Sequence, residues 1–501
     1  MRFSILAKRL ACSYDAHMAD AEVCSLTSDS RKAREGALFV CVGGMTVDGH
    51  DYAPEAYRRG CRLFVAERPL DLPNDAMQCQ VENSRSALAD LARAFYGDPD
   101  RELLLIGVTG TKGKTTVSSM TAQLLCSVGI KTGYIGSNGI IYGEHCEESA
   151  NTTPESIELY RHFRNMADDG VRAVVMEVSS QALYLGRVRG MTFPITLFTN
   201  LAVDHIGGNE HPTFEHYRQC KQTLFSDYGC ECMIVNADDE AAPLMRENAS
   251  ASRVLTYSLA DSHADLYAED ICRGSSVSQM GSLFSLVYEG KRFDSCVLGM
   301  PGEFNVSNAL AAIALTKEAL SRLSCERTTE QILAHLGTLC VSGRFETVPL
   351  FSDRAFIIDY AHNGYSLEAL LKTLRTYAPK RLICIVGSVG GRTYGRRREI
   401  AHALRLCDHA IITSDNPDRE DPMQIIRDIA SSCECACTMI ADRAEAIDYA
   451  VENSREGDIV LLAGKGHERY QLIEGIRVPF CERELLLKAK NRTQKATEAH
   501  T

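Results

Sequence analysis

What this 501-residue chain lacks narrows the field first. No apolar run approaches the length needed to cross a bilayer. Near the N-terminus Lys8, Arg9 and Asp15 interrupt the apolar pieces, so no secretory h-region forms and a cytoplasmic location is expected. There is no excess of basic residues. The formal net charge of -12 argues against coating nucleic acid or clinging to an anionic membrane, so any anionic ligand has to be held by local sites. The 20 cysteines are spread over the whole length without the short spacings of a disulfide framework, which reads as a reducing compartment. Cys230/Cys232 and Cys433/Cys435/Cys437 have no partnering Cys or His set at zinc-like spacing and read as small apolar strand residues. Gly390-Gly391-Arg392 lacks the spacing of a dinucleotide fingerprint, which argues against nicotinamide binding there.

What is present is organised around Ile106-Gly107-Val108-Thr109-Gly110-Thr111-Lys112-Gly113-Lys114-Thr115-Thr116. An apolar run precedes it, and Val117, Met120, Thr121, Leu124, Leu125 and Val128 follow on one helical face. Strand, glycine loop and helix together make a phosphate cradle: backbone N–H groups and a helix N-terminus face the anion, Lys114 adds a full charge, and Thr115 is placed for magnesium. The common P-loop pattern wants a glycine five residues before Gly113, and Val108 stands there, so this is a variant cradle.

Length predicts about three domains at about 150 residues each. Residues 1–100 read as a compact module with turn signals around Asp29-Ser30-Arg31, Gly43-Gly44 and Asp48-Gly49-His50, closed by a helix from Ser84 to Tyr96. From residue 101 the pattern alternates strand and helix, which predicts a mostly parallel sheet covered on both faces. Strands ending near Glu177, near Asn200 and His205, and near Asn236 deliver oxygen and imidazole groups to the edge where ligands sit in such sheets. Hard magnesium prefers oxygen ligands, so Thr115 and Glu177, joined by His205, are the predicted metal set. A further alternating block begins after Ser342-Gly343-Arg344-Phe345-Glu346, with strand ends at Gly387, at Ser414-Asp415-Asn416-Pro417-Asp418 and at Gly464-Lys465-Gly466-His467-Glu468. The expected division is 1–100, 101–341 and 342–490, with a polar tail over 491–501.

Taken in order, the cradle, Glu177-Val178-Ser179-Ser180, Asn200-Leu201 with Asp204-His205, Phe304-Asn305 with Asn308, Gly343-Arg344-Phe345-Glu346 and Asp359-Tyr360-Ala361-His362 resemble the Mur ligases over nearly the whole chain. Asp29-Ser30-Arg31, Asn151-Thr152-Thr153, Asp415-Asn416-Pro417 and Gly464 to Glu468 resemble the E-type members. The resemblance implies a three-domain α/β architecture: a small N-terminal α/β domain, a central P-loop ATPase-like sheet and a C-terminal Rossmann-like domain. It implies a monomeric, ATP- and magnesium-dependent ligase that adds a diamino acid to UDP-N-acetylmuramoyl-L-alanyl-D-glutamate through an acyl phosphate. Gly110, Thr111, Lys112, Gly113, Lys114, Thr115 and Thr116 would hold the ATP phosphates, and Asn308, Arg344 and Asp359 the adenine and ribose. Lys114, Glu177, His205 and Lys221 would carry the chemistry, Lys221 as a carbamylated magnesium ligand beside Thr115, Glu177 and His205. Ser30, Asn151, Thr152, Thr153, Ser179 and Arg187 would bind the UDP-sugar peptide. Arg397, Asp415, Asn416, Asp418, Gly464 and Glu468 would bind the amino acid.

Two departures stand out. Leu185 replaces a glutamine found in proteobacterial members, and Asp418 replaces the arginine that diaminopimelate-adding members set against the substrate's second carboxylate. An acid there repels a carboxylate and welcomes an ammonium, which favours lysine or ornithine over meso-diaminopimelate, although Arg419 is adjacent. Two rival readings are a folylpolyglutamate-type ligase and an ATP-switched binding protein. The module ahead of the cradle argues against the first, and a second α/β block with charged strand ends argues against the second.

Overall fold

The computed structural model describes residues 1–10, 12–44, 47–204, 206–207, 210–274, 277, 280–391 and 394–498, with side chains through 492. The chain divides into two compact units: Met1–Tyr267 with Val287–Lys291 and Ser307–Ile332, and Ala268–Leu286 with Arg292–Val306 and Leu333–Thr501.

In the first unit the N-terminal residues build a sheet in the order Cys12–Tyr14, Met77–Val81, Leu63–Ala66, Ala37–Val40, Ser25–Thr27. All its pairings are parallel except that of Cys12–Tyr14. The phosphate-loop strand, Leu104–Thr109, lies in a second sheet between Ala173–Glu177 and Ile195–Phe198, flanked by Thr132–Gly136 and Cys232–Asn236, all parallel. These strands are continuous apolar runs because helices cover both faces. Leu105, Val174, Met176, Phe193, Phe198 and Leu224 share one buried cluster. The register sets Glu177 opposite Val108 and Phe198 opposite Thr109, so carboxylate and phosphate loop emerge at one edge.

The second unit holds a sheet in the order Glu346–Val348, Ala355–Asp359, Ile459–Ala463, Leu382–Val386, His409–Ile412, Ala436–Met439. It is parallel apart from the first pairing. Of Cys433, Cys435 and Cys437, expected as apolar strand residues, the first two precede the edge strand Ala436–Met439 and Cys437, on it, is exposed. The final helix runs Glu482–Glu498 and carries regular structure into the stretch expected to be a polar tail. Among the described residues no helix is long and apolar enough to cross a membrane.

Candidate active site

The variant spacing of the cradle has a packing cause. Val108, where a glycine was wanted, is a fully buried strand residue, because the strand continues through Thr109 and the loop turns later. Gly110 has φ +145°, and a Cβ there would lie 1.9 Å from Thr199 Oγ1; at Gly113, φ +84°, it would lie 2.8 Å from Asn308 Oδ1. Both positions therefore require glycine. The same contact brings Asn308, on the helix Glu303–Arg322, to the cradle predicted to hold the nucleotide.

Lys114 opens the helix Lys114–Ser127, and its Nζ folds back to donate to Gly110 O at 2.8 Å and Thr111 O at 3.1 Å. Lys221, on the helix Phe214–Ser226, is 1% exposed, and its Nζ donates to the same Gly110 carbonyl at 2.8 Å. Burial first, and the Lys114 charge second, hold the Lys221 ammonium well below the usual lysine range. Two lysine side chains thus converge on one oxygen, an arrangement that an anion between them would relieve. Thr115 Oγ1 donates to Glu177 Oε2 at 3.0 Å, and Glu177 Oε1 accepts from Tyr134 Oη and the Ser137 amide, each at 2.8 Å. A buried carboxylate held on three sides, touching the loop threonine, is an oxygen donor set that fits magnesium beside a triphosphate. His205 lies outside the described residues. Thr111 Oγ1 meets Tyr217 Oη at 3.1 Å, Lys112 Nζ pairs with Asp204 at 2.9 Å, and Thr116 is buried in the first helical turn.

The sugar-peptide candidates divide. Thr153 Oγ1 donates to Glu177 O at 2.8 Å and to Ser179 Oγ at 3.3 Å, and Arg187 Nη1 donates to Thr153 O at 3.0 Å. Thr152 Oγ1 and Ser137 Oγ are 3.0 Å apart, and the Asn151 carbonyl accepts from Ser149 Oγ at 2.7 Å. Ser179 also caps the helix Ser180–Tyr184. These residues form one wall continuous with the Glu177 carboxylate. Ser30, in the N-terminal module, donates instead to Glu55 Oε2 at 3.0 Å.

In the second unit, Asp359 accepts from the Phe345 amide at 2.7 Å and the Ala361 amide at 2.8 Å, and the Arg344 guanidinium lies over the Tyr360 ring at 4.7 Å. Among the described residues the buried Arg344 Nε meets no hydrogen-bond acceptor, which makes it a candidate donor to a ligand. Gly464, φ +110°, lets the chain pass Asp415, whose Oδ2 would be 3.1 Å from a Cβ. Lys465, which the sequence reading left unassigned, is fully buried: its Nζ donates to Asn416 Oδ1 at 2.8 Å and Glu468 Oε2 at 2.6 Å. Its signal was a lysine between two glycines at a strand end. Asn416 Nδ2 also donates to Glu468 Oε2 at 3.0 Å, so the two predicted loops are knitted together.

Two of the predicted amino-acid contacts are engaged within the fold. Arg397 is 1% exposed and donates to Asp428 Oδ2 at 2.7 Å and Glu420 Oε2 at 2.8 Å, two carboxylates the sequence reading did not name. Its charge is already countered from within the fold. Asp418 has φ +52°, Oδ1 accepts the Gly475 amide at 2.8 Å, and its backbone pairs with the hairpin formed by Tyr470–Ile473 and Ile476–Pro479. Aspartate tolerates the left-handed region because its short side chain bonds locally. Residue 418 thus has a turn-building role independent of any substrate.

Behind these loops, Arg443 is 1% exposed, donating to Glu482 Oε1 at 2.9 Å, Ser414 O at 3.2 Å and Ala463 O at 2.8 Å. It ties Ser414 and Ala463, just ahead of the 415–418 and 464–468 loops, to the final helix. Arg443→Met is expected to destabilise the protein by about 3–5 kcal/mol, because Glu482 would be left buried and unpaired. Urea unfolding checks this, and Arg443→Met with Glu482→Leu should recover most of the loss.

A parallel sheet with a phosphate cradle and a buried carboxylate at one edge, in a chain whose second α/β unit carries its own charged strand edge, fits an ATP-dependent ligase forming amide bonds. Profiles of the Mur ligase middle domain, of the glutamate ligase domain and of the Mur ligase family catalytic domain match residues 108–316, 343–466 and 22–96. The UDP-N-acetylmuramoyl-L-alanyl-D-glutamate–2,6-diaminopimelate ligase of Geobacillus kaustophilus is 40% identical over 498 residues, covering 96% of this chain and 98% of its own. Its namesake from Bacillus velezensis is 40% identical over 475 residues, covering 93% and 94%. A solved ligase of the same name, 29% identical, aligns with a TM-score of 0.69 over 98% of this chain and 99% of its own. The chain belongs to the Mur ligase family, and its cofactors are ATP and magnesium.

Proposed function

We propose that this protein joins a diamino acid to UDP-N-acetylmuramoyl-L-alanyl-D-glutamate in peptidoglycan precursor synthesis. The observation that carries the reading is the Thr115–Glu177 contact at the cradle mouth, continuous through Thr153 with the Ser179 and Arg187 wall. A carboxylate presented there would meet the terminal phosphate of an ATP held by the cradle. The substrate's glutamate carboxylate oxygen attacks that phosphorus and ADP leaves; the amine nitrogen then attacks the acyl carbon, loses a proton and expels inorganic phosphate. Lys114 and the loop amides hold the phosphates, and Arg187 and Thr153 position the carboxyl donor. Magnesium, when bound at Thr115 and Glu177, neutralises phosphate charge. We assign the roles of sugar-peptide module, ATP domain and amino-acid domain to 1–100, 101–341 and 342–490.

A ligase releases phosphate only when sugar dipeptide and amino acid are both present. Phosphate release indifferent to both would instead identify an ATP-switched binding protein.

For the amine, 2,6-diaminopimelate is the first reading: the relatives about 40% identical are named for it. Asp418's acid is engaged in its turn, and Arg419 stands exposed beside it. Lysine or ornithine is the second, favoured by the acidic surroundings of Arg397, whose two carboxylates counter its charge. A panel of the three amino acids separates them. Asp418→Asn, which keeps the left-handed turn while removing the charge, is expected to raise kcat/KM for diaminopimelate several-fold and lower it for lysine. Asp418→Arg adds the charge but strains the turn by about 1–2 kcal/mol. Unchanged preference in both variants would mean that residue 418 does not select the amine.

A further inference from the structure

A cluster that the ligase reaction does not use lies on the helix that carries Lys221. His216 and Cys220 are four residues apart on Phe214–Ser226 and so share one face. His211 comes in from the preceding loop. Its Nδ1 lies 2.9 Å from His216 Nδ1, and Cys220 Sγ lies 3.7 Å from that same His216 nitrogen. One ligand atom from each of the three falls within 4.8 Å of the others. His211 is 1% exposed and Cys220 9%, while Tyr184, edge-on to the His216 ring at 4.8 Å, closes one side.

We infer that His211, His216 and Cys220 form a binding site for a borderline divalent cation of the zinc class, with three protein ligands and an open fourth position. Two imidazoles and a thiolate suit zinc and do not suit magnesium, which wants oxygen. Ligand nitrogens around a tetrahedral zinc are about 3.3 Å apart, so the two histidines have only to open by a few tenths of an ångström. The arrangement behind them fits as well. Ser180 Oγ lies 2.9 Å from His211 Nε2; accepting from Nε2–H, it turns the Nδ1 lone pair toward the cluster. Orientation of a ligating histidine through its other nitrogen is what metal sites require. Binding converts the Cys220 thiol to a thiolate and releases its proton to solvent, while the His216 proton resides on Nε2. Without a metal the same groups form a hydrogen-bond chain from Ser180 through His211 to His216.

The test is cobalt titration of the chelator-stripped full-length protein, with excess magnesium to fill the oxygen sites. One equivalent should give the visible bands of tetrahedral cobalt together with a thiolate-to-cobalt charge-transfer band in the near ultraviolet. Zinc should bleach both stoichiometrically. Cys220→Ser should abolish the charge-transfer band, whereas substitution of the exposed Cys126 by serine should leave it. Ser180→Ala, which removes only the orienting group, should weaken cobalt binding about tenfold or more. His216→Gln, at a half-exposed position, provides a second ligand variant should Cys220→Ser fold poorly. No stoichiometric binding by the wild type, binding without a thiolate band, or a band that survives both ligand variants overturns the inference.

Discussion

Lys114→Met is expected to lower kcat for amide formation by about 10²- to 10³-fold, the loss typical when one preorganised charge is taken from a developing transition state. Methionine keeps most of the stem and its packing, so the loop and the helix it opens should persist. The ammonium now satisfies two loop carbonyls, at 2.8 and 3.1 Å, and so is stationed within the cradle before any phosphate arrives. Lys114→Arg is not expected to rescue. Asn308 Oδ1 lies only 2.8 Å from where a Cβ on Gly113 would be, and a planar guanidinium needs room that this crowded turn does not offer. Steady-state phosphate release with all substrates present, together with thermal unfolding to verify folding, checks both variants. Turnover within tenfold of wild type for Lys114→Met would remove this lysine from phosphoryl transfer.

The central sheet was legible because buried parallel strands leave long apolar runs, and a glycine-lysine-threonine turn after such a run has few other uses. The Ala173–Glu177 strand and its terminal carboxylate followed from the same logic. Less legible was anything that depends on which side chains meet. Arg397 was read as an open contact for the amino acid, yet Glu420 and Asp428, 23 and 31 residues further along the chain, already occupy it. Asp418 was read as a charge, whereas its left-handed backbone and its bond to the Gly475 amide come from a hairpin over 50 residues away. Lys465 looked like one more polar residue in a glycine run; its complete burial appears only when the Asn416 loop and Glu468 close on its ammonium. The Mur ligase resemblance supplied roles that spacing alone does not carry, above all for Lys221, an unremarkable helix lysine in the sequence.

Lys221→Met is expected to reduce turnover by about 10²- to 10³-fold while leaving the protein at least as stable as wild type. The two halves have one cause. Burial and the neighbouring Lys114 charge hold the Lys221 ammonium well below the usual lysine range. Between that lowered value and the ordinary one, the unfolded chain binds a proton that the native state does not. Stability therefore rises with pH across that window, and near neutrality the buried amine is a cost that methionine avoids. A neutral, buried primary amine is the form that adds carbon dioxide: its nitrogen attacks the carbon, a proton departs, and a carbamate anion replaces a potential cation. With Lys114 Nζ donating to the same Gly110 carbonyl, that exchange would set an anion opposite the Lys114 charge and supply oxygen ligands beside Thr115 and Glu177. Wild-type turnover in buffer purged of carbon dioxide should accordingly fall and return with bicarbonate, and Lys221→Met should ignore both treatments. Comparison of thermal unfolding in purged buffer separates a chemical loss from a folding one. A variant that unfolds markedly earlier than wild type, or wild-type turnover indifferent to bicarbonate, would remove the carbamate from the mechanism.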